Sequence, residues 1–221
     1  LRLIKPADYT EVMTGKHGTK INRRSVLAGG LAMAAAWAMG RPALANTRMM
    51  TEKTLFDFAD ARSAARWFNR DDSVMGGVSA SRMTTVAGAA LFSGNVSLEN
   101  NGGFASVRSR TLRPADDLRG YTALRARVKG DGKTYIFSLQ TYTASRLNYW
   151  QRFETTKDEW LEVALPFSEF VAVFRGDPVR NAPALDLRAL ASYGIFITDN
   201  QTGLFALEIA WLKAIPDSVI A

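Results

Sequence analysis

Ala123-Leu124-Arg125-Ala126-Arg127-Val128-Lys129-Gly130-Asp131-Gly132-Lys133 is the stretch that decides the fold class. Leu124, Ala126 and Val128 fall on one face of a period-two pattern and Arg125, Arg127 and Lys129 on the other, the mark of a strand half buried against a core. The Asp-Gly pair that follows predicts a hairpin turn into the next strand. The same alternation recurs from Trp160 to Leu165, with Leu161, Val163 and Leu165 on one side. It recurs again near the end, where Phe205, Leu207, Ile209 and Trp211 are expected on one face of a long strand. Tyr193 to Thr198 is apolar on both faces, as a central strand requires. Helical signals are short: a turn through Ala65 capped by Asp60, then Phe167–Phe170, then Leu187–Ser192 ended by Gly194. Asn101-Gly102-Gly103, Asp199-Asn200 and Thr202-Gly203 supply further turns. Many short strands joined by Gly-rich turns predict an all-β chain, a jelly-roll β-sandwich with a few helical turns.

The first 45 residues read differently. Asn22-Arg23-Arg24-Ser25-Val26-Leu27 leads into a mild apolar run to Met39, followed by Arg41-Pro42-Ala43-Leu44-Ala45. A charged region, an apolar core and a small-residue A-x-A site make a secretory signal. The adjacent Arg23 and Arg24 point to the twin-arginine route, which carries folded passengers. The run is shorter than the roughly 20 residues of a membrane span, though an uncleaved anchor is the alternative. Met13 is a candidate start of translation, because Asp8 and Glu11 dilute the positive charge ahead of it. The layout expected is a leader over 1–45, a polar stub over 46–54, one domain over 55–215 and a tail over 216–221. The destination is the periplasm.

Composition narrows the chemistry. The whole chain carries a net +7, but residues 1–45 hold seven basic and two acidic groups, so residues 46–221 carry 21 and 19 and a net of only +2. A nucleic-acid partner is not expected of so balanced a domain. There is no cysteine, and the single histidine, His17, precedes the arginine pair. Ser-His-Asp and Cys-His nucleophile systems and Cys/His zinc sites are therefore absent from residues 46–221. No catalytic set, metal site or cofactor is expected.

Three segments are more specified than a plain sandwich needs. The first is Asn69-Arg70-Asp71-Asp72-Ser73-Val74-Met75-Gly76-Gly77-Val78-Ser79. The second is Ser97-Leu98-Glu99-Asn100-Asn101-Gly102-Gly103-Phe104-Ala105-Ser106-Val107-Arg108. The third joins Phe174-Arg175-Gly176 to Asn181-Ala182-Pro183 and ends at Asp199. With Val128 to Gly132 and Leu165-Pro166-Phe167-Ser168-Glu169-Phe170, their order and spacing resemble the complex I intermediate-associated protein 30 family from about Phe56 to Ala214. That resemblance implies a galactose-binding-like jelly roll. It also implies a non-enzymatic, chaperone-like role in assembling respiratory complex I on a protein partner, and distant relatives of the fold bind carbohydrate. It supplies no catalytic residues.

Site candidates therefore rest on side-chain chemistry. In a strand over Phe104–Arg108, Ala105 and Val107 face one way and Phe104, Ser106 and Arg108 the other. Arg108 then stands as a fork donor near Glu99, Asn100 and Asn101, either gripping a ligand or paired to Glu99 or Asp71. Asn69, Asp71 and Asp72 offer oxygens for a ligand or for capping, and Asp71 or Asp72 with Glu99 is a distant glycosidase possibility. Gly76-Gly77 lacks the phosphate-loop pattern and suits a tight connection. Trp150 and Arg152, on the outer face of one strand, and Arg175 and Asp199 in the third segment complete the ligand- or partner-binding candidates. Carbohydrate is the alternative ligand. The row Arg125, Arg127 and Lys129 is a solvated face or a transient contact with anionic headgroups.

Overall fold

The computed structural model describes residues 50–112 and 114–216. The leader with Arg23 and Arg24, Met13, His17 and most of the expected tail lie outside them. Along the chain run β1 Lys53–Asp57, the single helical turn α1 Ala61–Ala64, β2 Trp67–Asn69, β3 Ala80–Val86, β4 Ala89–Val96, β5 Ala105–Ser109 and β6 Ala123–Lys129. After them come β7 Thr134–Thr141, β8 Asn148–Glu154, β9 Trp160–Pro166, β10 Val171–Phe174, β11 Asp177–Pro178, β12 Leu190–Ile197 and β13 Gly203–Ile215. They form two antiparallel sheets. One has the order β3-β4-β13-β6-β9 with β1 also on β13, and the other has the order β11-β10-β8-β7-β12-β5-β2. This is the expected jelly roll, and Asp60 caps α1 as anticipated, accepting from the Arg62 N–H.

The core lies between the sheets. Phe205 stands edge-on to Phe92 of its own sheet at 4.8 Å between centroids and reaches Tyr135 of the other at 6.5 Å. Phe56 crosses the same gap to Tyr193 at 5.6 Å. Such edge-to-face pairs add directionality to apolar burial. In β5, Ala105 and Val107 join the core while Phe104, Ser106 and Arg108 lie on the opposite face, so the alternation expected there holds.

Three local expectations fail for physical reasons. The Asp-Gly turn after Lys129 is not a hairpin, because β6 and β7 belong to different sheets. It is a corner held by Asp131, whose Oδ1 accepts from Tyr135 Oη at 3.0 Å and whose Oδ2 accepts from the Ala206 N–H at 3.1 Å. Gly130 is bare because a Cβ there would collide with the Thr155 side chain. Second, β13 carries a bulge at Ala210, where pairing jumps from Ile209↔Val128 to Trp211↔Arg127. The inward set then becomes Leu212 and Ala214, and Trp211 turns outward with Lys213 Nζ 4.6 Å from its ring. Third, Leu187–Ser192 ends in β12 rather than in a helix. Gly194 is a strand residue paired with Arg108 and Ser138.

The outer face of the first sheet is a balanced ladder. Lys129 pairs with Glu208 at 2.6 Å, Arg125 with Glu52 at 3.3 Å and Arg127 with Glu162 at 3.6 Å. Contact with anionic headgroups through this row loses its electrostatic basis. Among the described residues no helix is long and apolar enough to cross a membrane.

Candidate functional site

The first two signature segments meet around two carboxylates. Asp72 opens a 3-10 turn over Asp72–Met75 and is fully buried. Its Oδ1 accepts from the Ser79 N–H at 2.9 Å, and its Oδ2 accepts from Ser79 Oγ at 2.5 Å, the Gly103 N–H at 2.7 Å and the Phe104 N–H at 3.3 Å. Asp71 accepts from Asn69 Nδ2, the Ser81 N–H and Oγ, and the Ser106 N–H, at 2.6–3.2 Å. Each carboxylate is buried and takes four donors from the surrounding chain, so both are engaged in holding the fold. Burial alone would raise the Asp72 carboxyl, but Ser79, Gly103 and Phe104 outweigh it and hold the group below its ordinary value.

The glycine pairs of both segments serve this cradle. Gly76 and Gly103 take positive φ, 95° and 135°. Gly77 and Gly102 have another duty: a Cβ on either would run into the Asp72 carboxylate. Glu99, Asn100 and Asn101 form the exposed turn beside the cradle, the two asparagines at φ 55° and 58°. They surround neither Arg108 nor each other's ligands; they shape the loop.

The groove lies elsewhere, on the outward face of the second sheet. Register sets Arg108, Gly194, Ser138 and Trp150 side by side across β5, β12, β7 and β8. Two small residues between two large ones make the row concave. The resulting groove, about 530 Å³, gathers Arg70, Arg108, Arg146, Arg152 and Arg175 with a single carboxylate, Asp199. Arg108 is the central group. Its Nη1 donates to Gln140 Oε1 at 2.6 Å and its Nη2 to Asn148 Oδ1 at 2.7 Å. Both partners are neutral amides. Burial first, and repulsion from Arg70 second, push its pKa down to about 10. Arg152 instead forms a fork on Asp199 at 2.9 and 3.0 Å.

Arg175 stands at the rim in the β10–β11 turn with φ 54°, beside Gly176 at 95°, its guanidinium 5.4 Å from the Phe174 ring. A bulky residue in the left-handed region carries backbone strain. Trp150 is half buried against Phe196, 5.3 Å between centroids, and its indole N–H has no partner among the described residues. Val74 and Met75 of the first segment edge the groove and are 62% and 63% exposed.

The structure thus sorts the candidates. Arg108, Trp150, Arg152, Arg175 and Asp199 come together in the groove, while Asn69, Asp71, Asp72, Glu99, Asn100 and Asn101 lie at the cradle. Arg108 pairs with neither Glu99 nor Asp71. Gln140, Asn148, Arg70 and Arg146 were not among the candidates, and the only signal for Gln140 and Asn148 was their outward place in strand alternation.

Comparison with known proteins identifies the family. The family model of complex I intermediate-associated protein 30 matches residues 56–209. The chain belongs to that family. Among relatives, an uncharacterised protein of Schizosaccharomyces pombe is 28% identical over 170 residues, covering 67% of this chain and 77% of that one. The mitochondrial complex I intermediate-associated protein 30 of Mus musculus is 25% identical over 198 residues, covering 80% of this chain and 60% of its own length. This chain therefore spans about three-fifths of that relative. The family 11 carbohydrate-binding module of a Clostridium thermocellum cellulosomal cellulase superposes with a TM-score of 0.57 at 16% identity, over 76% of this chain and 95% of the module. The same module bound to a β-1,3-1,4-mixed-linked tetrasaccharide gives 0.55 at 16% identity, over 75% and 95%. At these identities the shared feature is the fold: this member of the complex I intermediate-associated protein 30 family is a galactose-binding-like jelly roll.

Proposed function

We propose that the chain is a non-enzymatic binding module, a chaperone-like assembly factor that holds a subunit or intermediate of a respiratory complex of the complex I type. The observation that carries this is the groove on the outward sheet face. It has a bonded guanidinium at its centre, exposed aliphatic side chains on its lip, and no histidine or cysteine nucleophile. Family membership supplies the class of partner. The leader at Arg23-Arg24 supports action from the periplasmic side of the membrane. No cofactor enters this reading.

Deleting the gene is expected to lower the amount of assembled complex I, measured as NADH-dehydrogenase activity in native gels of the membrane fraction. Re-expression of the full chain should restore it. Unchanged complex I in the deletion strain would sink the assembly role. Fusing residues 1–45 to a reporter that is exported only when folded tests the location, and a reporter retained in the cytoplasm would overturn it.

Carbohydrate is the second reading, favoured by the aromatic side chains Trp150 and Phe174 on the groove wall, which offer ring surface to a sugar. It predicts glycan-array binding that Trp150→Ala weakens by about tenfold; a blank array removes it.

A further inference from the structure

The groove's charge is out of proportion to the rest of the domain. Residues 46–221 balance to a net of +2, yet this one surface brings five arginines together against one carboxylate, which Arg152 already engages. Arg108 is largely withdrawn from water and meets only amide oxygens, with Arg70 as its charged neighbour. A desolvated guanidinium without an anion is costly, and an incoming carboxylate would relieve both burial and mutual repulsion. Arg175 adds an independent sign. It holds a left-handed conformation that Gly or Asn would adopt more easily, and strain of this kind persists where the side chain is needed.

The apolar parts of the groove indicate which anion. Sugar rings and nucleobases bind by stacking on open aromatic faces. Here Trp150, Phe196 and Phe104 pack against one another at 5.3 and 6.2 Å, and the Arg175 guanidinium covers Phe174. What stands most free is not aromatic: Val74 and Met75 on the lip are 62% and 63% exposed, against 46% for Phe174. Thioether and branched aliphatic chains receive apolar side chains of a polypeptide.

We propose that the groove binds an acidic polypeptide segment with interspersed apolar residues, its carboxylates held by Arg108 at the centre and by Arg70, Arg146 and Arg175 around it. The proposal rests on the binding-module reading and names the chemistry of its partner. The chain's own residues 1–45, with a net +5, have the wrong sign to be the occupant.

The test is fluorescence anisotropy of the full chain with a dye-labelled Glu-rich peptide carrying Leu at intervals, and with the same peptide in which every Glu is Gln. The Glu peptide should bind at least about tenfold more tightly, the factor expected of charge-assisted hydrogen bonds, and should weaken as salt rises. Arg108→Gln should lower affinity about tenfold. Arg175→Gly should lower it several-fold while leaving the thermal midpoint unchanged or higher, since the substitution removes strain at an exposed turn. Equal affinity for the two peptides, no saturable binding, or indifference to Arg175→Gly would each overturn the proposal. Stronger binding of an oligogalacturonate or of an oligouridylate would replace the polypeptide by an acidic glycan or a nucleic acid. Complex I levels in the deletion strain report separately on the assembly role, so that reading survives or fails independently of this one.

Discussion

Asp72→Ala is expected to lower the free energy of unfolding by about 3–5 kcal/mol, the cost of stranding several buried donors around a lost carboxylate. For a domain whose total stability is of the order of 5–15 kcal/mol, that is a large part of the whole. Ser79, Gly103 and Phe104 would each lose an acceptor in a site closed to water. Urea melts of the purified domain measure the effect, and a loss below about 1 kcal/mol would show that water replaces the carboxylate freely. The same group gives a pH dependence with a definite sign. Its folded-state pKa lies below the ordinary 3.8, so its contribution is complete above the unfolded value and drains away as pH falls through the folded one. Wild type should therefore lose stability more steeply below about pH 4 than Asp72→Ala does.

Gly77→Ala is the second large effect, expected at about 2–4 kcal/mol from overpacking. The added Cβ meets the Asp72 side chain and nothing else so closely. The cost should consequently shrink, though not vanish, in an Asp72→Ala background, where only the retained Cβ, 2.9 Å from the added one, still crowds it; a double-mutant cycle reads this coupling directly. Additive losses would mean that Gly77 is required for its backbone rather than for clearance. Gly102→Ala, by contrast, also crowds the Ser97 and Glu99 carbonyl oxygens at 2.9 and 3.0 Å and should remain costly in either background.

These two experiments bear on what was legible beforehand. The alternation in β6, β9 and β5 is a local property, and it located those strands and their buried faces correctly. Which sheet a strand joins is not local. The turn chemistry of Asp131-Gly132 is the same for a hairpin and for a corner, and contacts beyond the turn decide between them, above all the one with the distant Ala206. Leu187–Ser192 shows the same thing for helix propensity, overridden where Leu190 and Ser192 pair with Thr141 and Gln140.

For the site, the Asp-Asp and Gly-Gly segments stood out because a buried carboxylate demands unusual neighbours, which is a requirement of folding. Arg108 belonged to the same segment but works on the other face. Its amide partners Gln140 and Asn148 sit 32 and 40 residues away in the chain, and nothing in their own surroundings distinguishes them from solvated strand residues.

The pairing of β1 with β13 has a consequence for how the molecule comes into being. Lys53 lies opposite Ala214 and Asp57 opposite Trp211, so the first strand of the sandwich waits for the last. A ribosome emitting this chain releases β13 last of the sandwich strands, and until then β1 can join no completed sheet. Closing so long a loop is slow, in the milliseconds-to-seconds range of high-contact-order β proteins. Until β13 emerges the first sheet exists only as two separate strand pairs, β3-β4 and β6-β9, and closure of the sandwich is timed by the arrival of its central strand.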